Sequence, residues 1–214
     1  MNNHTISISG RADWPIPAAL IGLSLIPMLA GIFRLVQLGS GEGASTENAR
    51  FLAEPVPVSV HIVSVVIFCV LGAFQFAPRL RVRHLLWHRA AGRVAWCCGL
   101  VAALTGLWMT QNTAPNQFDG PVLYVIRLLA GIAMAASLCF GLAAIGRRDL
   151  VRHRAWMTRA YAIGIGAGTQ VITHIPWFIF PGIRGELTRA ICMGMGWAIN
   201  LAVAEYLLAR GRSH

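Results

Sequence analysis

Five ionisable side chains stand inside otherwise apolar stretches of this chain: Arg34, His61, Arg127, His174 and Glu205. Placing a charge or an imidazole among lipid-facing residues is costly, so each marks a site of function by default. His61 lies four residues after Pro57, and His174 six residues before Phe180. At ~1.5 Å of rise per residue, both sit ~6 to 9 Å below the same membrane surface. Two neutral imidazoles facing each other at one depth are what a six-coordinate haem b requires, and histidine also binds transition metals and relays protons. The plainer reading is two interfacial histidines bonded to backbone or water.

A second set lies near the opposite surface. His84 and His88 are four apart, one face of a helix, and His153 enters a later arginine-rich stretch. His88 with His153 would make a second haem or metal site. Two sites on opposite sides resemble the layout of two-haem transmembrane cytochromes b, able to pass electrons across to a quinone or a membrane partner. Histidine beside arginine also contacts lipid phosphate. Arg127, about a turn inside its apolar run, suits a haem propionate, an anionic headgroup or a reach to the interface. Arg34 can snorkel to the surface. Glu205 lies where Arg93 or Arg159 can neutralise it as a structural ion pair, with proton carriage as the alternative.

These residues need elements to hold them. The chain has 214 residues, 56% hydrophobic and 12% charged, a balance suited to lipid rather than water. Its apolar runs, near twenty residues each, predict six membrane helices: Pro17–Leu38, Pro57–Ala77, Val94–Met109, Val122–Ile145, Met157–Phe180 and Thr188–Ala209. They leave no room for an extramembrane domain. A first run this long, without a basic stretch before it or a cleavage site after it, reads as retained.

All 18 basic residues are arginine, against eight acidic ones, giving a net charge of +10. Their distribution speaks against nucleic acid. Arg79, Arg81, Arg83, Arg89 and Arg93 fill the second joint, Arg147, Arg148, Arg152, Arg154 and Arg159 the fourth, and Arg210 and Arg212 the tail. The positive-inside rule puts these joints and both termini in the cytoplasm, in a bacterial inner membrane. The first joint carries Glu42, Glu47, Glu54 and Arg50 outside. The five cysteines lie within apolar runs and lack zinc-site spacing. No nucleophile arrangement, phosphate loop or paired carboxylate is visible. The tryptophans read as an interfacial belt, and the scattered glycines as close helix packing.

An internal echo joins two hairpins. His88-Arg89-Ala90 precedes Trp96 as His153-Arg154-Ala155 precedes Tyr161, at an offset of 65 residues. His61 precedes His88 by 27 residues and Arg127 precedes His153 by 26. A duplicated hairpin, segments two and three against four and five, is the expectation.

The strings Leu86-Trp87-His88-Arg89-Ala90-Ala91-Gly92-Arg93 and His153-Arg154-Ala155-Trp156-Met157-Thr158-Arg159-Ala160-Tyr161, with Trp197, Asn200 and Glu205, resemble a family of predicted membrane proteins called domain of unknown function 2306. His61 and the stretch Gly72 to Phe76 fit as well. The resemblance covers about residues 57 to 209. It implies a multi-helix prokaryotic membrane protein and carries no activity with it. The family pattern has a tyrosine where this chain has Ala95 followed by Trp96.

The functional expectations are therefore a haem b redox protein, a transporter or lipid-interacting protein, or an accessory subunit of a membrane complex. His61, His174, His88, His153 and Arg127 are the candidate binding residues, and Glu205 with Arg159 and Arg93 the candidate ion pair.

Overall fold

A computed structural model describes residues 14–40 and 49–211. Glu42, Glu47 and Arg212 lie outside the described residues. In chain order the helices are α1 (Pro15–Ser40), α2 (Ala49–Ala53), α3 (Pro55–Phe74), α4 (Pro78–Arg83), α5 (Leu85–Asn112), α6 (Pro121–Gly146), α7 (Leu150–Gly164), α8 (Gly166–Thr173), α9 (Ile175–Ile179) and α10 (Glu186–Arg210), with a 3-10 turn at Pro181–Ile183. No strand occurs among the described residues. An apolar chain in lipid must close its backbone polar groups internally, and helices do so. Five of these helices, α1, α3, α5, α6 and α10, are long and apolar enough to cross a bilayer.

The expected fifth crossing is not one helix. It is α7, α8 and α9 in succession, interrupted at Ile165 and at His174. Pro176 has no N–H to continue the ladder. Backbone freed at such breaks must find partners on neighbouring helices; Asn200 of α10 supplies one, and side chains of α8 bond the α10 backbone in return. Asn200 donates to the Ala162 carbonyl at 3.0 Å and accepts from Thr169 at 2.7 Å. Gln170 donates to the Met193 carbonyl at 3.1 Å, and Thr173 to that of Cys192 at 2.6 Å.

The two arginine joints are largely helical rather than looped. Pro78 opens α4, a first-turn position where its missing N–H costs nothing. Asp149 caps α7 by accepting from the Arg152 N–H at 2.9 Å, and arginine itself is a good helix former. The helices that follow the joints, α5 and α7, thus start nine and seven residues before their apolar runs.

The buried core draws on α3, α5, α6 and α7: Phe68, Cys69 and Ala73, Ala95, Met134 and Leu138, Ala160 and Tyr161. The most extensive pairings are α3 with α5 and α6 with α7, the two hairpins of the internal echo. Each hairpin bonds the other in the same way. Trp96 on α5 donates its indole N–H to the Leu138 carbonyl of α6 at 2.9 Å. Tyr161 on α7 donates its hydroxyl to the Cys69 carbonyl of α3 at 2.8 Å. Gly99 and Gly164, again 65 apart, both press on the Phe68 ring, where an added Cβ would fall 2.7 Å and 2.3 Å from ring carbons. The acceptors Cys69 and Leu138 are 69 apart, so the level matching His61 on α6 is Ala130. Arg127 lies almost a turn further out.

The ends of the bundle differ. Trp14, Phe74 and Trp87 stack edge to face, bringing the start of α1, the end of α3 and the start of α5 together at the arginine-joint end. The α5–α6 loop, with Asp119, marks the other. The side of the membrane each end faces is an expectation from charge.

Candidate functional site

At the arginine-joint end, His88 sits in the first turn of α5 and His153 in the first turn of α7. The two imidazoles lie within electrostatic reach of each other, with Arg81 and Arg89 also close to His88. His153 donates Nδ1–H to the Gly141 carbonyl at 2.8 Å. A carbonyl can only accept, so the proton is on Nδ1 and Nε2 keeps its lone pair. Such an Nδ1–H···O=C bond is the usual support of a metal-bound histidine. The His88 Nδ1 is buried and has no hydrogen-bond partner. His84 does not share the face of α5: it falls in the kink between α4 and α5, at φ −132° and ψ 60°.

The other pair is not brought together. His61 turns Nδ1 towards α5, 3.0 Å from both the Ala102 carbonyl and the Thr105 hydroxyl. His174 bonds the Gln170 carbonyl of its own segment at 2.8 Å and lies against Trp177 and Phe178. Segments two and five do touch, but through α7 at the level of Tyr161 and Phe68. Beyond the break, α1 packs against both α3 and α8. Among the described residues no three His, Cys, Asp or Glu side chains converge as a metal cluster would need.

Arg127 has a partner that charge counting did not single out. It grips Asp119 with two bonds of 2.9 and 3.3 Å. Arg189 of α10 donates to the same carboxylate at 2.8 Å, and Arg50 of α2 stands at 3.9 Å. The Asp119 side chain is only 5% exposed. Burial raises its pKa, but the Arg127 bond and charge, the Asn116 N–H and Arg189 outweigh this and hold it below the usual carboxylate range. Burial lowers the pKa of Arg50; Asp119 opposes that shift, while Arg127, Arg189 and Arg34 add to it. Three guanidinium groups thus share one carboxylate. Arg34 and Arg50 also cover the Phe51 ring at 4.8 and 4.4 Å, and Arg184 the Trp177 ring at 5.2 Å.

Glu205 accepts from Arg159 at 2.5 and 2.9 Å, tying α10 to α7. Arg93 stands exposed on α5.

Residues 58–208 match the family described as predicted membrane protein DUF2306. The chain belongs to that family. No curated protein and no solved structure matches it. In this DUF2306 protein both His-Arg strings open helices at the same end, and the matched region begins with α3. Arg50 and the whole of α1 lie before it. Sequence reasoning missed Asp119, Arg189 and Arg50. Asp119 sits in a polar loop, and only its burial by arginines from three elements sets it apart. The single signal was that Arg50, Arg127 and Arg189 lie away from the arginine joints.

Proposed function

We propose that this membrane protein is a one-electron carrier that holds haem b between His88 and His153. The observation that supports the reading is the pairing of a buried, unbonded imidazole nitrogen on His88 with a neighbouring His153 whose tautomer leaves Nε2 free. Unsatisfied buried nitrogens are rare in folded proteins and call for a partner. The two residues hold equivalent positions in the duplicated hairpins, so they approach from opposite halves of the core. Haem b there supplies single-electron exchange. The chain's own residues would ligate iron through an imidazole from each hairpin, orient His153 through the Gly141 carbonyl, and offer Arg81 and Arg89 to the propionates. An absorption spectrum of protein purified from haem-sufficient cells tests this. We expect a Soret band in the wild type, lost in His88→Leu and in His153→Leu and kept in His174→Leu; a wild type without the band overturns the reading.

The second reading, a lipid-interacting or transport role, draws on the Asp119 cluster. Three arginines gather on Asp119, with the Glu186 carboxylate against Gly120 as a second acid beside it; the remaining excess of positive charge in partial burial favours a further anionic partner, and guanidinium suits phosphate and carboxylate oxygens. Arg50 is the least committed of the three. Arg50→Gln should weaken retention of anionic phospholipid by the purified protein without changing its Tm by more than a degree or so; equal retention counts against a headgroup site.

A further inference from the structure

A cavity of about 160 Å³ lies between α1, α3 and the break that separates α7 from α8. Its walls include Ser24, Met28, His61, Ile62, Cys69 and Ile165. The size is that of one six-membered ring, since an apolar cavity of roughly 150 Å³ accommodates benzene. Two polar groups on its walls keep capacity for a further hydrogen bond.

The first is His61. Thr105 spends its hydroxyl hydrogen on the Val101 carbonyl at 2.7 Å. Both neighbours of His61 Nδ1, the Ala102 carbonyl and the Thr105 oxygen, therefore accept, and Nδ1 carries the proton. The Cε1 edge is also turned to α5, with the Cβ position of Gly106 3.4 Å away. What the ring leaves for the cavity is Nε2, a bare acceptor.

The second is Ser24. Its hydroxyl is buried, in a residue 2% exposed, and has only the Cys69 thiol, a weak partner, beside it. Cys69 is eight residues beyond His61 on α3, so the levels of the two ends of the cavity are ~12 Å apart along that helix. A ring with oxygens at opposite corners spans that interval when each oxygen makes a bond of ~2.8 Å.

We propose that this cavity binds a membrane-soluble hydroquinone, one hydroxyl donating to His61 Nε2 and the opposite oxygen bonded to the Ser24 hydroxyl. Pro27, Gly31 and Ile62, all partly exposed, form the side through which its tail passes into the bilayer. A hydroxyl meets a lone pair at Nε2, whereas a quinone carbonyl would set lone pair against lone pair, so the reduced form binds more tightly. The site is independent of a haem at the far end of the bundle.

Binding is measured by equilibrium dialysis under argon, with the full chain in nanodiscs and empty nanodiscs as blank. The probes are decylhydroquinone, its dimethyl ether, decylquinone and dodecanol. Decylhydroquinone should bind, with the ether, the quinone and the ring-less alcohol each at least tenfold weaker. Ser24→Ala and His61→Leu should each weaken the hydroquinone about tenfold. The four-probe comparison on the wild type needs no variant, and Ser24→Ala stands in for His61→Leu if the latter does not fold. No saturable hydroquinone binding, an ether or quinone binding as tightly, or a dodecanol affinity equal to that of the ring compound overturns the proposal.

Discussion

At the scale of single residues, the sites of this protein are decided by where protons and charges find partners. Asp119 is the clearest case, because its carboxylate joins the α5–α6 loop to α6 and α10 through charged bonds. Removing one member of a buried ion cluster leaves the others uncompensated. Asp119→Ala should therefore lower unfolding stability by about 3 kcal/mol, read as a drop in Tm in detergent. The pH dependence follows from the sign of the shift. A carboxyl held below its ordinary pKa stabilises the fold at pH values above the ordinary range, and the contribution is lost as pH falls through that range towards the lowered value. Wild-type Tm should be flat from neutrality down to the ordinary carboxylate range and then fall, with a smaller fall in Asp119→Ala. Little of this was legible in sequence: Arg127 stood out as a charge in an apolar run, while Asp119 looked like any acidic loop residue. The histidines were legible as residue types, but their roles were not, since tautomer depends on which carbonyl happens to face Nδ1.

At the scale of elements, apolar runs predicted four helices within three residues at each end, started α5 nine residues late, and misjudged the fifth segment. Hydropathy registers how greasy a segment is, and Met157–Phe180 is greasy enough throughout; the break at Ile165 depends on α10 presenting Asn200 to the Ala162 carbonyl. Asn200→Leu removes that bond and the Thr169 contact together, and should cost about 1 kcal/mol by analogy with interhelical bonds in membranes. Arginine ends an apolar run without ending helix: within the arginine joints Pro78 opens α4 and Asp149 caps α7, so new helices start there. In the α6–α7 turn, Arg148 adopts φ 57°, a left-handed conformation that glycine holds without strain. Arg148→Gly should raise Tm slightly, corresponding to about 1 kcal/mol, whereas Asp149→Ala, which uncaps α7, should lower stability by about 1 kcal/mol.

At the scale of the whole molecule, two hairpins clasp each other through reciprocal bonds, Trp96 to Leu138 and Tyr161 to Cys69, while α1 and α10 flank them. The echo of His-Arg-Ala at a fixed offset pointed to this pairing of hairpins in the sequence. In this reciprocity Trp96 and Tyr161 play the same part, each ring delivering a donor, N–H or O–H, to the facing helix. His88 and His153, one from each hairpin, lie at the same end of the bundle, and the reading of this protein as an electron carrier rests on that pair. Titration of haemin into the purified full chain, followed by absorption, tests it most directly. The account predicts saturation at one haem per chain with a six-coordinate, low-spin spectrum, abolished by His153→Leu and unaffected by His174→Leu. Uptake that is non-saturating, or equally strong in His153→Leu, would contradict it.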